Sequence, residues 1–388
     1  MAHRRGTRGP GARPRRGLRP VRAGPLLRGH APLPGVGLRR LYVERAPGLL
    51  ADLRPLVDGF QPDVVVTDRH CLGVRFLHEQ GGPPWAIVNE TSLIGACPSD
   101  PPRTGAPQPS SAPGRLRNRA LNRGVRRLAL RSLNHAYRDL RRSVGLRDDG
   151  LPLLDAIMSP FLFLQPTSPA FEYPRQVCPR QIHLTGPMMS QRAHGPFEPP
   201  AWWDELDGDR PVVHLTQGTT QLDTDQLVRP GLEALAGGDH LVVVTVPDAD
   251  APPDLPPNAR FARYIPYQEL LPRVDVAISN GGYNGAHLTL ANGVPMVAAG
   301  VNADQPENCA RIAWTGAGIW LERPTPAGLR TAVDRVLADP AYRANAQRVA
   351  ADFARHQGPD NGARLLERLV ATGEPVLRPT ASLTAATT

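Results

Sequence analysis

A short apolar run, Val274-Asp275-Val276-Ala277-Ile278, leads straight into Ser279-Asn280-Gly281-Gly282-Tyr283-Asn284-Gly285-Ala286, and this junction constrains the chain more than any other feature. A β-branched run without polar alternation suits a strand buried on both faces of a parallel sheet. The glycines that follow predict a tight turn and then a helix over about 283–292, whose first turn is to offer a ligand no bulky side chain. A helix N-terminus presents unpaired N–H groups and about half a positive charge, so a diphosphate can sit there if glycine lets it come close. Gly281, Gly282 and Gly285 supply that access. The bland alternative is a glycine pair serving only a positive-φ turn.

Beyond the helix, Gly293-Val294-Pro295-Met296-Val297 reads as a C-cap glycine and a new strand, and Asn302-Ala303-Asp304-Gln305-Pro306-Glu307-Asn308 opens another helix. Asp304 and Gln305 therefore fall on a carboxyl-end loop one strand on from the phosphate turn, where open α/β sheets bind ligands. An acid beside an amide offers acceptors and a donor to neighbouring hydroxyls, as a sugar requires. The competing reading is that Asp304 only caps its helix.

The motifs Tyr264-Ile265-Pro266-Tyr267, Leu270-Leu271-Pro272, the 280–285 loop, Gly293-Val294-Pro295, Asp304-Gln305 with Asn308, and Gly316-Ala317-Gly318 occur in one order and spacing. Pro62-Asp63-Val64-Val65-Val66-Thr67-Asp68, Phe171-Glu172-Tyr173-Pro174-Arg175 and Gly186-Pro187 extend the match upstream, over about residues 38–370. In these motifs the chain resembles the nucleotide-sugar-dependent glycosyltransferases of GT-B fold, family 1 type, in particular the actinobacterial group that glycosylates small natural products.

The resemblance implies an α/β fold of two Rossmann-like domains facing a cleft, the N-terminal one incomplete. It also implies transfer of a hexose from a UDP- or dTDP-sugar to a hydroxyl of a small hydrophobic acceptor, with inversion and without metal or resident cofactor. Val212–Thr216 would be the first donor-domain strand, with Thr216, Gly218 and Thr219 facing the diphosphate. Ile265, Pro266 and Tyr267 would flank the nucleobase. Asn280 stands where most relatives carry a phosphate-contacting histidine, and with Gly281, Gly282, Asn284 and Gly285 it would line the phosphate. Asp304 and Gln305 would grip the sugar. Two other readings use the same site: a nucleotide-sugar-binding auxiliary partner of another transferase, and an epimerase that releases free sugar.

In this family the base resembles a histidine in a glycine-rich loop after the first strand, oriented by an acid after a later strand. Asp68 matches the acid. The histidine has no matching position: His30 follows no strand, and His70, though near Asp68, reads as a loop residue because adjacent side chains at a strand end point apart. The other histidines show no metal-ligand spacing.

Charge isolates the first segment. Residues 1–43 hold eleven arginines and no acid, although the whole chain is only +9. All 45 basic residues are arginine. The segment 1–37 lacks the aromatics of a base-stacking arm and the apolar core of a signal peptide, and reads as a disordered leader from a misread gene start. The first strands of the N-terminal domain should then be missing, leaving an exposed edge and a poorly stable domain.

The expected divisions are an acceptor domain over 38–186, a linker over 187–204, a donor domain over 205–370 able to fold alone, and a disordered tail over 371–388. A helix over about 115–143 is expected to turn its arginines to solvent. Cysteines 71, 97, 178 and 309 show no paired spacing and read as reduced thiols. With no apolar run long enough to span a bilayer, a cytoplasmic monomer or homodimer is expected, binding neither membrane nor nucleic acid.

Overall fold

The computed structural model describes residues 37–101, 105, 109, 111–189, 197–218, 223–247, 250–252, 254–380 and 383. The leader 1–36, His30, Thr219 and most of the linker core therefore lie outside the described residues.

Two parallel sheets carry the fold. The first contains β1 (Val65–Thr67), β2 (Trp85–Val88), β3 (Leu162–Gln165) and β4 (Ile182–Leu184) in that spatial order. The second contains β5 (Val212–Thr216), β6 (Leu241–Thr245), β7 (Ala259–Ala262), β8 (Val276–Ser279), β9 (Met296–Ala298) and β10 (Gly318–Trp320), in the order β7-β6-β5-β8-β9-β10. That is the doubly wound arrangement, in which the strand order reverses between β5 and β8 and opens a crevice at their carboxyl ends. Strands β5, β6, β8 and β9 are buried along their whole length, as continuous apolar runs require.

The first sheet is one half of such a unit. Among the described residues β1 pairs only with β2, and Val66 on this edge strand is about half exposed. Leu56 and Phe60, on the helix Ala46–Phe60, are also exposed. Among the described residues that edge has no strand beside it, and the first sheet has its own core, in which Phe76, Tyr137 and Leu153 are buried together.

Four expectations are corrected. The helix predicted over 115–143 is broken by a π-helical turn, Val125–Ala129, between Ala112–Gly124 and Arg131–Ser143. Its arginines are not uniformly solvated: Arg141 is buried and pairs with Glu79 at 2.6 Å and Asp149 at 3.2 Å, because the helix face it shares with Leu133 and Tyr137 turns inward.

The second correction concerns the donor-domain boundary. The helix Gly358–Thr372 crosses back to the first sheet, where Leu369 packs with Ala86, Leu162 and Leu164. The C-terminal half thus shares core with the N-terminal half. The described part of the tail continues that path: Val376 N–H donates to Phe161 C=O, and both Val376 and Leu383 are buried. Apolar burial on the first sheet offsets the ordering cost that composition alone suggested.

Finally, Cys97 and Cys178 are joined in a disulfide, while Cys71 and Cys309 are free. The partners are 81 residues apart, so spacing could not show the pair. They meet because the loops after β2 and before β4 converge on one apolar cluster.

Candidate active site

The turn after β8 forms as its glycines demand. Gly281 has φ +69°, and a Cβ there would meet Cys309 Sγ at 2.4 Å. The helix Tyr283–Ala291 follows, its first backbone bond running from Ala286 N–H to Gly282 C=O. The N–H groups of Tyr283, Asn284 and Gly285 precede that bond and have no partner within the helix. A Cβ on Gly285 would meet nothing within 4 Å, so this terminus opens onto free space. The one bulky side chain in the first turn, Tyr283, is turned away: its hydroxyl donates to Pro166 C=O at 3.1 Å and accepts from Gln165 Nε2 at 2.7 Å.

That free space is a cleft of about 580 Å³ at the β5/β8 crevice. Thr216, Gly218, Ile265, Tyr267, Asn280, Gly282, Asn284, Gly285, Asp304 and Gln305 all line it. Ten of the predicted site residues thus share one cavity. Pro266 stands behind the wall as N-cap of the turn Tyr267–Leu270, and Gly281 lies beneath the floor. Asp68 does not line the cleft.

The expectation for Asn280 needs revision. Its Nδ2 donates to Gln217 C=O, and its Oδ1 accepts the Gly282 N–H at 3.2 Å. A residue only 6% exposed thus ties the β5 loop to the β8 loop, with one of its two amide hydrogens already used. It holds the loops after β5 and β8 in register.

Asp304 is not a side-chain helix cap. Its Oδ2 accepts from Thr91 Oγ1 at 2.7 Å and from Asn308 Nδ2 at 2.9 Å. Asn308 also donates to Gly281 C=O at 2.9 Å and accepts from Ser92 Oγ at 2.6 Å. The loop after β2 is thereby connected to the glycine turn after β8 through the acid. The preceding Ala303 has φ +50°, a strained conformation for a residue with a Cβ, and such strain concentrates in functional loops.

Beneath this loop, charge is buried with its partners. Arg311 and Glu172 are both fully buried and 2.8 Å apart, and Glu172 also pairs with Arg175 at 2.8 Å. Burial alone would raise the Glu172 carboxyl, but the two guanidiniums override it and hold it below its ordinary range. Arg311 also donates to Leu93 C=O at 3.1 Å, which fixes the helix Gln305–Trp314 to the loop carrying Thr91.

Glu90 lines the cleft and was not foreseen. The only available signal was its place on the carboxyl-end loop of β2, the first-sheet counterpart of the Asp304 loop. His70 lies in a turn, as expected of a loop residue; its Nδ1 is 2.7 Å from Glu90 Oε1, and Asp68 accepts its backbone N–H at 2.6 Å. The turn, not a strand end, sets their directions. Among the described residues, Asp68, His70 and Glu90 are a group whose ligating atoms approach within 4.8 Å, and the direct histidine–glutamate bond makes it a hydrogen-bonded dyad.

His214 on β5, which lines the cleft, is pushed down to about 4 by burial, and its Nε2 is 2.8 Å from Thr245 Oγ1. It meets Tyr267 edge-on, at 5.5 Å between ring centroids. Among the described residues no helix is long and apolar enough to cross a membrane.

Residues 229–369 match the family described as erythromycin biosynthesis protein CIII-like, C-terminal domain. Over 350 residues the chain is 38% identical to 4'-demethylrebeccamycin synthase of Lentzea aerocolonigenes, covering 88% of this chain and 83% of that protein. It is 33% identical to UDP-glycosyltransferase 2 of Phaeomoniella chlamydospora, covering 75% and 67%. Among solved structures, the calicheamicin glycosyltransferase CalG4 superposes with a TM-score of 0.65 at 20% identity, over 89% of this chain and 83% of that one. Glycosyltransferase VinC, solved with dTDP, gives a TM-score of 0.60 at 20% identity, over 86% and 80%.

Proposed function

The chain belongs to the nucleotide-sugar-dependent glycosyltransferases of GT-B fold, and from that membership we propose that it moves a hexose from a UDP- or dTDP-sugar to a hydroxyl of a small hydrophobic natural product. One observation carries the reading: the open N-terminus of the helix Tyr283–Ala291 and the Asp304–Gln305 pair line a single cleft at the β5/β8 crevice. The diphosphate would lie against the free N–H groups of that terminus, the base beside Ile265 and Tyr267, and the sugar hydroxyls at Asp304 and Gln305.

The reaction is displacement at the anomeric carbon. The acceptor oxygen bonds to that carbon as its bond to the diphosphate breaks, and negative charge grows on the leaving group. Fixed N–H dipoles aimed at that charge stabilise it without reorganising, and this is the cleft's main contribution to rate. This chemistry needs neither metal nor resident cofactor. A displacement from the opposite face inverts the anomeric centre.

Calorimetric titration with UDP, dTDP, UDP-glucose and dTDP-glucose tests the reading. Binding of one diphosphate series, with the sugar adding affinity, is expected. Failure of all four to bind would refute it, and release of free sugar without an acceptor would favour epimerase chemistry.

A further inference from the structure

We propose that the arginine-rich helical stretch over 112–129 docks this protein onto an anionic lipid surface, lying flat in the headgroup layer.

The stretch is turned the wrong way round for a helix on a globular body. Asn118, Asn122 and Arg126, at i, i+4 and i+8, face the protein. Asn118 Nδ2 donates to Ser99 C=O at 3.3 Å, Asn122 Nδ2 to Asp100 C=O at 2.7 Å, and Arg126 to Gly95 C=O at 2.6 Å. Leu121, Val125 and Leu128 follow one another at four and three residues, and all three stand exposed, as does Leu116. A helix on a globular body normally buries such a stripe and shows its polar side to water. Of the fourteen large apolar side chains exposed among the described residues, four fall within 116–128. The patch is thus concentrated rather than scattered, and a concentrated patch marks an interaction surface.

Charge decides the kind of partner. Residues 112–131 carry seven arginines and no acid. Arg126 is paired with Asp155, but Arg119 and Arg123 have no acidic partner among the described residues. A second copy of this face would be repelled, and so would residues 1–36, which hold nine arginines and no acid. The occupant is therefore an anionic surface outside the chain. Apolar side chains projecting from a convex helix, Leu116 and Leu128 being 66% and 77% exposed, suit a fluid layer that closes around them. The arginines beside them suit anionic headgroups. Nucleic acid would engage the arginines and leave the leucines in water.

A helix lying in the headgroup layer needs no bilayer-spanning run, which is why the apolar-run criterion pointed away from a membrane. If the acceptor is the small hydrophobic molecule proposed above, docking would bring the cleft to the phase in which it dissolves. The docking itself does not depend on that reading.

The test floats the full chain with vesicles of phosphatidylcholine containing about 30% phosphatidylglycerol, and with vesicles of phosphatidylcholine alone, at low salt. Binding to the anionic vesicles should be about tenfold or more tighter than to the neutral ones. Leu121→Gln combined with Leu128→Gln should weaken it about tenfold or more, and Arg119→Gln combined with Arg123→Gln by a similar factor. Both variants should keep the wild-type melting temperature, since these side chains are not part of the core. No binding to the anionic vesicles, equal binding to the neutral ones, or a leucine pair that binds as wild type does would overturn the docking. So would a DNA duplex that, at equal phosphate concentration, strips the protein from the anionic vesicles.

Discussion

Thr91 Oγ1 donates across the cleft to Asp304 Oδ2 at 2.7 Å, so an acid of the second sheet is held by a hydroxyl 213 residues away on the first. If Asp304 holds the donor as proposed, the bond makes donor recognition a property of both halves. Asn308 shares that carboxylate oxygen, so under the proposed function Oδ1 is the atom that would meet a sugar hydroxyl.

Thr91→Val should therefore weaken nucleotide-sugar binding about tenfold while leaving the free nucleoside diphosphate within about twofold. That size corresponds to roughly 1.4 kcal/mol, the scale of a hydrogen bond to a charged group. Parallel titration with dTDP and dTDP-glucose, and with the UDP pair, reads the difference.

Asp304→Ala and Gln305→Ala should act in the same sense and more strongly, removing most of the affinity the sugar adds. If diphosphate and nucleotide sugar weakened together, the sugar assignment of these residues would be wrong.

Gly285 faces open cleft, so Gly285→Leu should fold normally and lose diphosphate binding by filling the helix terminus. Gly281→Ala should do the reverse. Its positive φ and the 2.4 Å approach to Cys309 Sγ predict a loss of about 1–3 kcal/mol in stability, visible as a lower melting temperature.

Arg311→Met leaves Glu172 buried with Arg175 as its remaining partner and should cost about 3–5 kcal/mol. The pH dependence follows from the lowered folded pKa of Glu172. Its stabilisation is fully present above the ordinary carboxyl value of 4.5 and is lost as pH falls through the folded value beneath it. Melting curves from pH 7 down to 3 should show wild type losing stability on acidification, and Glu172→Gln losing less over the same range.

Thiol titration of the unfolded, unreduced chain should find two free thiols, from Cys71 and Cys309, and four after reduction. Reduction should also lower the melting temperature, since the bridge closes a long loop and such bridges contribute about 2–4 kcal/mol. Four free thiols before reduction would remove the disulfide from the fold.

Local chemistry by itself determined the second sheet and most of the cleft. An apolar run implies burial, Gly281 implies a positive-φ turn, and a helix N-terminus implies an anion site, so Asn280 to Gly285 and Asp304-Gln305 were legible from a few neighbouring residues each. Only the tertiary structure decided that Cys97 meets Cys178, that the helix Gly358–Thr372 returns to the first sheet, that Arg141 turns inward, and that His70 meets Glu90. Each of these depends on segments brought together by sheet order and buried apolar area, and a residue's own neighbours in the chain carry no record of which distant surface will remove it from water.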